Sequence, residues 1–412
     1  MKKLRDLIKE IVRKWVKGTS ISDILLYGCS PETMILISVL NEMGMLVDAV
    51  MDGDTAKHGK KWYGVRIVSP DYAKDKNTEH SGVIVWSIHK KSMLEYLEQN
   101  EIFNVLCIDI DRESEEYLNA KIDYLNEARN IYDRIKSVRG DCIFLITPGP
   151  SGDVYVALSY LDKWKKQKNI NKNICLVGTS DNSKEIASLY GVDEFEKINE
   201  SERLSLLFLH TVCEDELDIL LVSPWELNTK NSFFPRYNSE FLFSDKYRYE
   251  VFDLTDGTEG CYPQMNRFEE CDRNGVVIAP YAYSSPAPRL HINFWEKLVD
   301  TIKKEEENVF TVGYGEKEPA IKGTNLIRFS YKDIGQVLGK CKAFISVRSG
   351  LCDIAHNVSC NMVVLYTNTV MQKSTYFYGM KNNYKDYTGI EINCDNMTEK
   401  QLIKEIMMGI RR

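Results

Sequence analysis

The sequence predicts an α/β protein built from successive strand–turn–helix units around parallel sheets. Short apolar runs of strand length recur along the chain, at 24–27, 46–51, 83–87, 105–108, 142–146, 174–177, 217–222, 276–280, 309–312, 343–347 and 362–366. Segments with apolar residues at helical spacing separate many of them, and such alternation implies a parallel sheet. The turns that follow the strands are tight, as in Thr147-Pro148-Gly149-Pro150-Ser151-Gly152. An open α/β sheet presents its site above such strand ends.

A chain of 412 residues is long enough for two or three domains. Hydrophobic residues make up 43% and charged residues 27%, an ordinary globular balance. With 53 basic against 60 acidic residues the net charge is -7, which argues against non-specific nucleic-acid binding. The 11 cysteines form no CxxC pair and the 6 histidines no HExxH. Neither a disulfide framework nor a zinc site is signalled, and a cytoplasmic setting is expected. No apolar run reaches the roughly 18 residues that span a bilayer.

Residues 1–18 form a basic amphipathic helix with Leu4, Leu7, Ile8, Ile11, Val12, Trp15 and Val16 on one stripe. Such a stripe either packs on its own domain or a partner subunit, or lies on a membrane surface, so peripheral contact at the inner face of the membrane stays open. Residues 19–110 read as a small Rossmann-like module. Its first turn, Gly28-Cys29-Ser30, holds one glycine where the dinucleotide fingerprint has three. Asp52 ends the second strand, where an acid can hold a ribose hydroxyl or open an Asp-Gly turn with Gly53. Gly28, Ser30 and Asp52 are the candidate ligand residues of this module. Residues 111–140 predict a charged helix, read as a spacer and ended by Gly140. Asp109-Ile110-Asp111 before it reads as a strand end and helix cap rather than a metal site.

Residues 141–272 form the next domain. Cys142–Ile146 predicts a buried strand, and Val154, Ala157, Leu158 and Leu161 a helix. Asp153 is the one acid on the intervening turn: a helix-start residue or a catalytic carboxylate. Phe233-Phe234-Pro235-Arg236-Tyr237 either stacks on a sugar or packs a domain edge. His210 sits in a Leu-rich helical run and reads as a core histidine. Residues 273–412 repeat the βα pattern. Arg348-Ser349-Gly350 ends a strand and opens a helix, a place suited to an anion such as a diphosphate. Arg289 and Arg348 can add charge-assisted hydrogen bonds, and Gly313-Tyr314-Gly315 leaves room near the backbone. Two α/β domains without a Walker lysine loop suggest a ligand held between them.

Two resemblances sharpen this. The run Val50-Met51-Asp52-Gly53-Asp54, Gly59-Lys60 and Gly64-Val65-Arg66-Ile67-Val68 resembles the N-terminal module of bacterial sugar acetyltransferases. That implies a Rossmann-like fold and nucleotide-sugar binding. The hexapeptide-repeat β-helix that carries acetyl transfer there is absent from this sequence. Residues 141–412 resemble GT-B glycosyltransferases, closest to the heptosyltransferase type. The matching elements are Gly152-Asp153 with the apolar helix after it, Val277-Ile278-Ala279-Pro280 before Trp295, Gly313–Glu316, and Ser349-Gly350. The resemblance implies two Rossmann-like domains in GT-B arrangement, 141–272 binding the acceptor and 273–412 the donor. It implies Asp153 as general base in a metal-independent, inverting sugar transfer from a nucleotide-diphosphate sugar. The acceptor would be a cell-surface glycan, a lipid-linked acceptor or a protein, with no further cofactor. Donor-binding candidates are Arg289, Gly313, Tyr314, Gly315, Glu316, Arg348, Ser349, Gly350, Leu351 and Asp353. Acceptor-binding candidates are Ser151, Gly152, Phe234, Arg236 and Tyr237. One departure stands out. The family carries Asp-Thr-Gly followed by His, whereas Arg348-Ser349-Gly350 and Asp353 stand here, so acid and base have traded places. The alternative reading is a non-catalytic nucleotide-sugar-binding regulatory or assembly protein, and a homo-oligomer fits either.

Overall fold

The computed structural model describes residues 2–110, 114–147, 149–213, 217–224, 242–265, 274–282, 290–313, 317–367, 379–394 and 397–411. Along the chain run α1 (Lys2–Val16), β1 (Asp23–Tyr27), α2 (Pro31–Glu42), β2 (Val47–Met51), β3 (Lys61–Trp62), β4 (Val65–Val68), α3 (Tyr72–Asp75), β5 (Ser81–Val85), α4 (Lys90–Gln99), β6 (Val105–Cys107), α5 (Glu115–Arg139) and β7 (Cys142–Ile146). There follow α6 (Ser151–Leu158), α7 (Leu161–Gln167), β8 (Asn173–Gly178), α8 (Asp181–Leu189), β9 (Glu194–Lys197), α9 (Glu200–Val212), β10 (Ile219–Leu221) and α10 (Phe243–Lys246). The last stretch holds β11 (Val276–Ala279), α11 (Ile292–Ile302), β12 (Val309–Val312), β13 (Asn325–Ile327), α12 (Ile334–Leu338), β14 (Ala343–Val347), α13 (Gly350–Ala355), β15 (Asn361–Tyr366), α14 (Met380–Asn383), β16 (Ile390–Asn393) and α15 (Glu399–Ile410). The chain divides into two compact units, Met1–Ile146 with Ile198–Pro235, and Thr147–Lys197 with Arg236–Arg412.

In the first unit six strands run in the order β3-β4-β2-β1-β5-β6. All described pairs are parallel except the β3/β4 hairpin. That hairpin turns on Tyr63 (φ 53°) and Gly64 (φ 82°), the two consecutive left-handed residues that match the twist of a two-residue loop. Central strands β1 and β5 are buried almost throughout, as a sheet covered on both faces requires. Leu4, Ile8 and Val12 of α1 are fully buried, Arg5 and Lys9 pair with Glu42, and Trp15 occupies the space a side chain at Gly82 would need. Most of the apolar stripe of 1–18 is therefore engaged by its own domain, while Leu7 stays exposed. Helix α5 begins at the Ser114 cap and ends at Gly140 (φ 73°). It packs along α9, with Tyr124 edge-on to Phe208 at 4.5 Å and Arg134 bonded to Glu202 at 2.8 Å. Strands β7 and β10 pair in parallel, Phe144 facing Ile219.

In the second unit β8 and β9 pair in parallel. A separate six-stranded sheet runs β13-β12-β11-β14-β15-β16, every pair parallel. Renumbered within the sheet, this is the doubly wound order 3-2-1-4-5-6. Its core gathers Trp295, Leu298, Val299 and Ile302 of α11 and Ile406 and Ile410 of α15 against β11, β14 and β15. The order reverses between β11 and β14, so the segment after β14 sits at the switch point where such sheets bind ligands. Among the described residues no helix is long and apolar enough to cross a membrane.

Candidate functional site

The segment after β14 is Arg348-Ser349-Gly350. Ser349 is the extended cap residue before α13. In the same unit α6 starts at Ser151, behind the N-cap Pro150, which offers no side-chain cap. The two helix starts meet backbone to backbone. A Cβ on Gly350 would lie 2.5 Å from the Gly152 nitrogen, and one on Gly152 would lie 2.8 Å from the Gly350 Cα and 2.7 Å from Asp353 Oδ2. Both positions need glycine because no other residue permits that approach.

Beneath this contact lies a buried ion pair. Arg348 donates from Nη1 to Asp353 Oδ2 at 2.8 Å and from Nη2 to Oδ1 at 2.7 Å. Tyr384 Oη adds a bond to Oδ1 at 2.7 Å, and Arg348 Nη1 also reaches the Ser349 carbonyl at 2.8 Å. Arg348 is 6% and Asp353 2% exposed. Burial alone would lower the guanidinium pKa, but the charge and hydrogen bonds of Asp353 outweigh it and hold it well above its ordinary value. His356 Nδ1 lies 2.7 Å from the Asp353 carbonyl, and its ring stacks on Tyr384 with Tyr262 edge-on. Burial pushes the His356 pKa down. A lone histidine three residues past Asp353 gave no sequence signal of this stack.

Asp153 is the third residue of α6, half-buried, and the Tyr247 hydroxyl donates to its Oδ1. Tyr247 is fully buried on a π-helical turn, Tyr247–Val251. Ser151 Oγ is bonded by the Tyr331 hydroxyl at 2.8 Å, while the Tyr331 amide donates to Glu185 at 2.8 Å. Nothing in the local sequence around Tyr247 or Tyr331 pointed to these contacts. The site thus brings together Ser151, Gly152, Asp153, Ser349, Gly350 and Asp353, with Leu351 on the first turn of α13. At Gly313 the space of a side chain is filled by the Glu318 carbonyl, so its own chain accounts for that glycine. Arg289, Tyr314, Gly315, Glu316, Phe234, Arg236 and Tyr237 lie outside the described residues.

In the first unit the order β4-β2-β1-β5-β6 puts the turn after β1 at a switch point. Gly28 (φ 99°) makes the turn and Ser30 caps α2 through the Thr33 amide. Asp52 reaches across: Oδ2 accepts the Cys29 amide at 3.0 Å, Oδ1 accepts the Asp54 amide at 2.9 Å, and Lys57 lies 3.1 Å from both oxygens. Gly28, Ser30 and Asp52 are therefore neighbours, with the carboxylate engaged by its own chain. Burial would raise the Asp52 pKa, but the two amides and Lys57 outweigh it and hold it below the ordinary carboxylate value. A group of that kind stabilises the fold above its unfolded pKa and loses its contribution as pH falls through the folded value. Lys57→Met should raise the folded value and start acid unfolding at higher pH. Circular dichroism against pH checks this, and an unmoved acid midpoint would refute it.

Among the described residues no group of three or more His, Cys, Asp or Glu side chains is placed to hold a metal ion. No family model matches the sequence. No curated protein sequence matches it either. Solved structures do. The chain is similar to ADP-heptose lipopolysaccharide heptosyltransferase II of E. coli, at 14% identity and a TM-score of 0.46, over 66% of this chain and 98% of that one. It is similar to the E. coli heptosyltransferase WaaC, bound to ADP-2-deoxy-2-fluoro heptose, at 11% identity and a TM-score of 0.41, over 64% and 99%. A family 9 glycosyl transferase of Veillonella parvula spans 95% of this chain and 97% of its own length, at 11% identity and a TM-score of 0.35. The solved structures that this chain resembles are thus heptosyltransferases and other glycosyltransferases.

Proposed function

We propose that the chain is a GT-B glycosyltransferase that moves a sugar, with inversion and without a metal, from a nucleotide-diphosphate sugar to an acceptor hydroxyl. One observation carries the reading. The sheet order brings Ser349-Gly350 to a switch point, and the first turn of α6, with Asp153, packs on it. An acceptor hydroxyl becomes a competent nucleophile when a carboxylate takes its proton as the bond forms, an effect of about 10²–10⁴ in rate. Asp153 is that base. The leaving diphosphate gathers negative charge, which backbone N–H groups at the Ser349–Leu351 turn stabilise. Acceptor contacts fall to Ser151 and Gly152 and to Phe234, Arg236 and Tyr237, donor contacts to Arg289, Gly313–Glu316 and the 348–353 turn. The first-unit module, with Gly28, Ser30 and Asp52, is a second nucleotide-sugar site. Contact with a membrane-borne acceptor and self-association belong to the same reading.

A second reading, a nucleotide-sugar-binding protein without catalysis, is favoured by one fact: Asp353 neutralises Arg348, so the turn offers no free cation from that side chain. Melting curves with ADP-, UDP-, GDP- and CDP-sugars test both. A ligand at a hundredfold excess over its Kd adds about 2.7 kcal/mol and should raise Tm by several degrees. A shift accompanied by release of the nucleoside diphosphate supports transfer, and a shift without it supports the second reading. No shift with any donor sinks both.

A further inference from the structure

The proposed transfer leaves the contact between Tyr247 and Asp153 unused. Tyr247 donates its hydroxyl to Asp153 Oδ1 from a turn wound as a π-helix, an irregularity that is costly and gathers at functional sites. Its ring is fully buried and edge-on to Phe243 at 5.4 Å, so the hydroxyl is held by packing from behind. The Asp153 backbone is fixed independently, because Gly152 before it is pressed on Gly350. With the backbone set, the remaining freedom of the carboxylate is rotation about its own side-chain bonds, and the bond from Tyr247 to one oxygen restricts it. We propose that Tyr247 is the positioning residue of the Asp153 base, fixing the carboxylate's orientation. The inference rests on the transferase reading above.

The physics fixes the sign of the effect. A hydrogen bond donated to a carboxylate stabilises its charged form and lowers its pKa. Loss of the Tyr247 hydroxyl therefore moves the acid limb of the pH–rate profile upward, and a carboxylate held less firmly in its productive orientation lowers kcat at every pH. Tyr331→Phe is the control. It removes a hydroxyl bonded to the same helix turn, two residues away, without touching the base.

The assay is release of nucleoside diphosphate from a mixture of ADP-heptose, UDP-glucose, UDP-N-acetylglucosamine and GDP-mannose, with water as acceptor, followed from pH 4.5 to 9. In Tyr247→Phe the acid limb should move up by about one pH unit, with kcat lowered about tenfold and KM for the donor unchanged. In Tyr331→Phe the limb should stay where it is. A Tyr247→Phe profile that coincides with wild type, or a limb that moves equally in both variants, overturns the proposal. Failure of the underlying reading looks different: the wild-type chain releases no nucleoside diphosphate, or Asp153→Asn releases it at the wild-type rate. If Tyr247→Phe does not fold, Tyr247→Trp or Tyr247→His supplies a ring N–H donor in its place, and a limb within about 0.3 units of wild type then supports the proposal.

Discussion

Arg348→Met should cost about 3–5 kcal/mol of stability, because it leaves the Asp353 carboxylate buried without its counter-ion. The two-pronged pair, at 2.7 and 2.8 Å, is closed over by protein on all sides, and each partner is under a tenth exposed. In such a place the loss of one partner costs far more than the pair contributes over an apolar substitute. Tyr384 still donates to the carboxylate in the variant, which limits the loss without cancelling a full charge. The cost should also depend on pH. An uncompensated buried carboxylate has its pKa raised, so the variant should regain stability as pH falls toward that value, narrowing the gap to wild type. Adding Asp353→Asn should recover part of the loss, with a coupling of about 1–3 kcal/mol between the two sites. Urea unfolding of the two single variants and the double variant at pH 5 and pH 8 measures this. Strictly additive losses, equal at both pH values, would show that the pair does not act as a unit.

That pair also shows where sequence reasoning reached and where it stopped. Position 348 and position 353 stood out because the acid and base of the resembled family had traded places, and an exchange of that kind invites the two residues to satisfy one another. A sequence offers no distance between them, so by sequence alone Arg348 points toward a diphosphate. The structure spends its guanidinium on Asp353. The strands were legible wherever they are buried on both faces. Val309–Val312 and Ala343–Val347 have the bounds that their apolar runs predict, and Ile24–Tyr27 falls one residue short at its start. The edge strands β9 and β13 were not, although the edge strands β6 and β10 were. Glu194–Lys197 holds one apolar residue in four and Asn325–Ile327 is only three residues long and mostly exposed, so neither has a pattern to read. Glycine was the ambiguous letter. Gly152 and Gly350 suggest ligand contacts in sequence, and in the structure their missing side chains also let two backbones meet. Contacts over long stretches of sequence, such as Tyr247 with Asp153 or Tyr331 with Ser151, depend on how elements pack, and periodicity carries no information about them.

Asp153→Asn carries the largest expected effect on activity, a fall of about 10²–10⁴ in turnover with the fold intact. The substitution keeps the shape of the side chain and one carbonyl-type oxygen that the Tyr247 hydroxyl can still bond. It removes the negative charge and with it the capacity to accept a proton. Asp153 is half-buried in the first turn of α6, where a negative charge is worth about 0.3–1 kcal/mol through the helix dipole, so stability should change little. Donor binding should persist, because the proposed diphosphate contacts come from the Ser349–Leu351 turn rather than from this carboxylate. The expected result is therefore a split: an unaltered donor-induced rise in Tm, an unaltered donor KM and a collapsed kcat. A variant that keeps full turnover would return Asp153 to the role of a helix-start acid. One that loses the donor-induced Tm shift along with turnover would make it a binding residue, and the proton would then have to leave by another route. Asp153→Ala should behave worse than Asp153→Asn in stability, since it also takes away the acceptor that a fully buried tyrosine hydroxyl uses, and that difference separates the structural share of this carboxylate from its chemical one.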